Sequence, residues 1–178
     1  EYGNAIRDLL GVDVDAREVG PLFPDDNVAT RGLVLQLGDS AYALFDPDLL
    51  RMAIGWRGDF ISLTTMAQIS YRDSLNKNNQ IPKVLGRPVF ATGLHPGWSV
   101  GEPVLHDPRE PGPYAQDPGR GPLDPAVARW EGAYVVGDQA ILAYTVGRTE
   151  VREQPGSVRV GDQVGIGRTI RTGAISQP

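Results

Sequence analysis

The sequence predicts a mainly β fold: an antiparallel β-sandwich or partly open barrel with short helices and a long Pro-rich arm. Three observations predict it. Apolar stretches are joined three times by a Gly-Asp pair: Leu33–Leu37 to Ala41–Phe45 through Gly38-Asp39, Tyr134–Val136 to Ala140–Val146 through Gly137-Asp138, and Val158–Val160 to Val164–Ile166 through Gly161-Asp162. Glycine first in a two-residue loop supplies the positive φ of a type II′ hairpin turn. The apolar residues alternate at period two, as in Leu33, Leu35 and Leu37. Finally, residues 96–125 hold eight prolines and five glycines, a composition with too few backbone donors for a central strand.

The elements follow in chain order. Residues 4–10 read as a short helix, capped by Asn4, with Ile6, Leu9 and Leu10 on one side and Gly11 at its end. Residues 12–30 are acidic and turn-rich, so residues 1–26 read as an N-terminal appendage and 27–178 as the β-rich domain. The body begins near Ala29. Both faces of the first hairpin are apolar, with Tyr42 and Leu44 on one and Ala43 and Phe45 on the other, which places it inside a sandwich or barrel. Asp46-Pro47-Asp48 ends that hairpin. Leu49–Trp56 fits a strand or one helical turn, and Phe60–Thr65 fits a strand. Residues 66–83 are polar and Asn-rich, an exposed excursion. Val84–Thr92 reads as an edge strand, because Pro88 cannot donate to a ladder. Within the arm (96–125), Trp98, Leu105 and Tyr114 are anchors that favour an ordered segment. Asp124-Pro125 reads as the N-cap and first residue of a helix over Ala126–Trp130. Strands follow near 149–153, 157–160 and 163–171.

Composition narrows the function classes. At 178 residues the chain is one domain with room for a core. A net charge of −5 argues against sequence-independent nucleic-acid binding, which needs a basic face. Lys77 and Lys83 are the only lysines, so positive charge is almost all arginine, suited to planar, bidentate contacts. The absence of cysteine excludes disulfides, thiolate nucleophiles, iron–sulfur ligation and covalent haem attachment on this chain. No stretch approaches the ~18 apolar residues of a membrane helix, so membrane contact is expected to be indirect or peripheral. The chain opens on Glu1 rather than Met, as a processed or trimmed protein would.

Catalytic patterns are missing. Ser40, Ser62 and Ser70 lie in no G-x-S-x-G elbow. The glycines at 161, 165 and 167 lack a phosphate-loop lysine. His95 and His106 fall eleven residues apart in loops and too few ligands surround them for a metal. Asp46 and Asp48 make a turn sequence first of all; Ca²⁺ ligation or a paired-carboxylate site are the functional alternatives. No catalytic residue is assigned. The candidates for partner binding are Trp98, Tyr114, Trp56, Arg57 and Leu105, aromatic, arginine and apolar groups of the kind that anchor interfaces.

Two stretches carry a resemblance. Asn27–Asp39, then Phe45-Asp-Pro-Asp-Leu-Leu-Arg-Met-Ala-Ile-Gly-Trp-Arg-Gly-Asp-Phe, then Gly137–Gly147 resemble an uncharacterised β-rich domain family of large secreted bacterial proteins that often also carry c-type haem modules. This resemblance spans about residues 27–153. Glu1–Asp15 looks like the opening of another uncharacterised domain, one that follows a cytochrome module in similar bacterial proteins. The resemblance implies an extracytoplasmic, periplasmic setting and a redox-associated context, with haem on a partner and no cofactor on this chain. The expectation is a non-enzymatic accessory or scaffold subunit. It would dock on protein subunits of a larger membrane-associated, cytochrome-containing respiratory or photosynthetic complex. The alternative is a carbohydrate-binding or glycan-active β-sandwich using the tryptophans with Asp46 and Asp48.

Overall fold

The computed structural model describes residues 11–15, 28–38, 40–61, 84–110 and 120–174. Among the described residues, nine strands form two antiparallel sheets. The first is β1 (Gly11–Asp15), β2 (Val28–Gly38), β3 (Ala41–Asp46), β4 (Arg51–Ile61) and β5 (Val84–Ala91) in that order. The second is β6 (Ala128–Val136), β7 (Gln139–Val146), β8 (Thr149–Val160) and β9 (Gln163–Thr172), again in chain order. Every strand therefore pairs with its chain neighbour, and the arm is the crossing between sheets.

The expected sandwich is what the apolar pattern builds. Leu35, with Leu33 and Leu37 beside it, faces Ala43, Phe45 and Met52 of the same sheet and Ala128, Leu142, Tyr144 and Val151 of the other. The opposite face of the first sheet is apolar too, with Val34, Leu44, Ile54 and Trp56 fully buried in a second cluster. A bulge preserves this assignment. Leu44 pairs with Ile54 but Phe45 with Met52, so Ala53 is the extra residue and joins Ile54 on the same face. Gly55 lies on the inter-sheet side, where a Cβ would strike the rings of Phe90 and the end of Ile166 from β9.

Two Gly-Asp turns match expectation. Val136 pairs with Gln139 and Val160 with Gln163, and Gly137 and Gly161 have φ of +64° and +59° while the aspartates do not turn positive, the type II′ pattern. Gly147-Arg148 is a third connection of this kind, between Val146 and Thr149, with Gly147 at φ +56°. The first hairpin differs. Gly38 pairs with Ala41 after a register shift, so its φ of +83° serves the shift and not the first loop position.

Other expectations are refined or corrected. Of the stretch Leu49–Trp56, read as a strand or one helical turn, Arg51–Trp56 is strand, and it continues through the start of Phe60–Thr65 as a single element, β4, while Leu49 and Leu50 belong to the turn that enters it. The Ala126–Trp130 helix is absent. Asp124 caps a turn instead, its Oδ1 accepting the Ala126 N–H at 2.8 Å and its carbonyl those of Val127 and Ala128 at 2.8 and 3.0 Å. β6 begins at Ala128 because that side chain is drawn into the inter-sheet core. β5 is an edge strand containing Pro88, as expected. Gly11–Asp15 adds an edge strand to the first sheet, so part of the N-terminal appendage pairs with the domain. The expected helix over 4–10, the excursion at 66–83 and Tyr114 lie outside the described residues.

Candidate interaction site

The site grows from the turn between β3 and β4. Asp46 and Arg51 face each other at its mouth. Asp46 Oδ1 accepts the N–H groups of Asp48 and Leu49 at 3.0 and 3.3 Å, closing the turn, as an Asx side chain does. Its Oδ2 accepts from Arg51 Nε at 3.2 Å, and both side chains are almost fully buried. Burial pushes the Asp46 carboxyl above its ordinary range against the attraction of Arg51 and Arg109, and burial likewise lowers Arg51. Arg51 Nη1 donates to the carbonyls of Thr92 (3.3 Å) and Gly93 (2.5 Å), tying the chain after β5 to the turn. Asp48 receives the guanidinium of Arg31 from β2 at 2.6 and 3.2 Å.

The arm is seated on this turn from both ends. Gly97 N–H donates to the Leu49 carbonyl at 2.9 Å, and Leu123 N–H to that of Asp48 at 3.0 Å. A Cβ at Gly97 would collide with the Leu50 carbonyl, so only glycine lets the arm lie this close. Between these ends Arg109 grips Asp107 with Nε and Nη2 at 2.8 and 2.9 Å and donates Nη1 to the Gly121 carbonyl at 2.7 Å. Arg120 adds a third guanidinium contact to Asp107 at 3.0 Å. Burial would raise Asp107, but Arg109 and Arg120 outweigh it and hold the carboxyl below its usual range.

A second buried network fixes Trp98. Its indole N–H donates to Tyr144 Oη at 3.0 Å; that hydroxyl donates to Glu153 Oε2 at 2.6 Å. Arg168 closes on Glu153 with Nε at 2.5 Å and Nη2 at 2.9 Å. Burial and the neighbouring Glu153 carboxylate push the Tyr144 phenol up, so it stays a donor. The carboxylate is fully buried and satisfied on both oxygens, which is the condition for tolerating it there.

The partner-binding candidates separate accordingly. Trp98 is a half-buried anchor of the arm. Leu105 is 77 % exposed, so it does not anchor the arm as expected but projects from it. Arg57 is exposed on β4. Trp56 is corrected: it is fully buried, stacked on Tyr42 with ring centroids 5.6 Å apart, and its indole N–H is spent on the Asp59 carbonyl. The Ca²⁺ reading of Asp46 and Asp48 is corrected as well, because both carboxylates are taken by arginines and turn amides. Among the described residues no group of three or more His, Asp or Glu is placed to hold a metal ion. His95 Nδ1 lies 2.9 Å from the Pro96 carbonyl, and His106 is exposed.

Glu153 and Arg109 escaped sequence reasoning. The signal for Glu153 was a charge on the inward parity of β8, between Val151 and Pro155. For Arg109 the local pair with Asp107, two residues earlier, was the signal, while its reach to Gly121 and toward Asp48 spans too much sequence to be read there.

The arm encloses a cleft of about 430 Å³, within the size range of ligand sites. It is lined by the apolar Trp98, Val100, Val104 and Val127 and by the charged Arg109, Glu110, Arg120 and Asp124. No described helix is long and apolar enough to cross a membrane.

These features define a β-sandwich carrying a strapped, cleft-forming arm. The chain belongs to the DUF6797 family, described as a domain of unknown function, which matches residues 43–153, well over half of the 178 residues. That span runs from β3 to Glu153 and takes in the turn, the arm and Trp98, Tyr144 and Glu153 of the second network, leaving Arg168 outside it. No curated protein and no solved structure matches the chain.

Proposed function

We propose that the protein is a non-enzymatic, extracytoplasmic accessory subunit that docks through its Pro-rich arm on a larger redox assembly whose haem is carried by a partner. One observation carries the docking: the arm is fastened to the sandwich at Gly97 and Leu123 yet presents Val100 and Leu105 at 63 % and 77 % exposure. Apolar side chains held out on a rigid support lose little entropy on association. The extracytoplasmic and haem-associated parts of the reading rest on the family resemblance alone.

The test is co-purification of the tagged chain from its native cells, with the captured fraction scanned for haem absorbance. The double variant Val100→Glu, Leu105→Glu is purified in parallel, its fold checked by thermal melting. The wild type is expected to retain a haem-bearing partner and the folded variant to lose it. Recovery of the wild type alone, or equal capture by the variant, overturns docking through the arm. Capture of a partner without haem overturns the redox part only.

A further inference from the structure

We infer that the arm's cleft receives a cationic segment of the partner protein, one apolar side chain seated between Trp98, Val100 and Val127 and flanking Lys or Arg residues paired with Glu110 and Asp124. The inference rests on the docking reading and names the chemistry of what is docked.

The argument is one of charge already spent and charge left over. Arg109 is committed to Asp107 and to the Gly121 carbonyl, and its Nη1 also lies 4.0 Å from Asp48. Arg120 is committed through Nη1 to the same Asp107. Both cations of the cleft are thus bound inward by the one carboxylate of Asp107, with Asp48 a more distant second partner of Arg109. The two carboxylates are not. Asp124 uses Oδ1 to cap the Ala126 amide, and neither Asp124 nor Glu110 has a cationic partner among the described residues. Both are exposed. The unspent charge of the cleft is therefore negative, set beside an apolar wall and on a chain of net charge −5. An acidic segment would meet those carboxylates as like charges, which costs affinity and steers the wrong partner away. A cationic segment meets them as complements, while its apolar side chain fills the wall.

The probes are two fluorescein-labelled decapeptides with the same leucine and proline positions, one with lysine and arginine between them, the other with glutamate. Binding to the full chain is read by fluorescence anisotropy. The cationic peptide is expected to bind and the acidic one not. Glu110→Lys should weaken binding about 10-fold, Glu110→Gln by less. Glu102→Lys, an exposed site on the arm outside the cleft walls, should leave it within about 2-fold. Leu105→Glu should leave the peptide bound, since Leu105 is not part of the cleft. Failure of the cationic peptide to bind, preference for the acidic one, or equal losses in the Glu102 and Glu110 variants overturns the inference. A Leu105→Glu chain that keeps the peptide but also keeps the native partner overturns docking through Leu105 and leaves the cleft's specificity standing.

Discussion

The two sheets solve the same problem under different conditions. The first is buried on both faces: Leu44, Ile54 and Trp56 on one side and Ala43, Phe45 and Met52 on the other are all at most 2 % exposed. The second is buried on one face. Leu142 and Tyr144 point inward, while Tyr134 and Val136 are more than half exposed outward, beside the exposed ion pairs of Glu131 with Arg129 and Arg152. The difference lies in what a polar residue must do to be tolerated. In the first sheet Asp46 and Arg51 are accepted only as a mutually neutralising pair. On the outer face of the second sheet charges need no fixed partner, because water serves.

Four changes probe that contrast, from the largest expected effect to the smallest. Asp46→Ala leaves Arg51 as an uncompensated buried charge and strips two turn amides of their acceptor. We expect a loss of about 3–5 kcal/mol in urea unfolding, enough to unfold a marginal domain. Tyr144→Phe, on the inner face of the second sheet, removes the acceptor of Trp98 and one donor to Glu153. It should cost about 1–3 kcal/mol and loosen the arm, seen as faster proteolysis within residues 96–125. A loss there as large as that of Asp46→Ala would erase the distinction between the sheets.

The third probe is acid. The folded-state carboxyl of Asp107 lies below its ordinary value, so its stabilisation is complete at neutral pH. It is lost as pH falls below about 4. Asp46, raised by burial, works in the opposite sense: its ionisation penalises the folded state as pH rises past the ordinary carboxylate range. Asp107→Asn should therefore flatten the fall in stability between neutral and acid pH, measured by denaturant midpoints. An unchanged acid limb would remove Asp107 from the account. Last, Tyr134→Ser on the outer face should shift stability within about 0.5 kcal/mol; a cost above about 2 kcal/mol would mean that this face is covered.

Much of the fold was legible because period two survives in the residues. Leu33, Leu35 and Leu37 share a face in the sequence and in the sandwich, and Gly137 and Gly161 turn where a II′ loop requires. The missing helix at Ala126–Trp130 shows the limit. Asp124-Pro125 is equally good chemistry for a capped turn, and the pull of Ala128 and Trp130 into the core decided for the strand. The candidate site was legible only as a region. Trp98 was read as pinning the arm or meeting a partner, and its bond to Tyr144 shows the pinning. Trp56 was misplaced because nothing local separates a buried indole from an exposed one when both faces of a sheet are apolar. Asp46 and Arg51 stand five residues apart, and only the register of β3 against β4 makes them neighbours.

Gly97 and Leu123 bind the carbonyls of two consecutive residues, Leu49 and Asp48, so the chain leaves and returns to the sandwich at nearly one point. What lies between is a loop with a closed neck. Lengthening such a loop costs only about 0.6 kcal/mol per doubling. Apart from Trp98, bonded to Tyr144 of β7, and Arg109, which reaches toward Asp48, the arm can thus be lengthened, shortened or rewritten with little effect on the strands, which makes it a replaceable face on a socket of backbone bonds: the same sandwich can be fitted to a different partner by changing what the neck encloses.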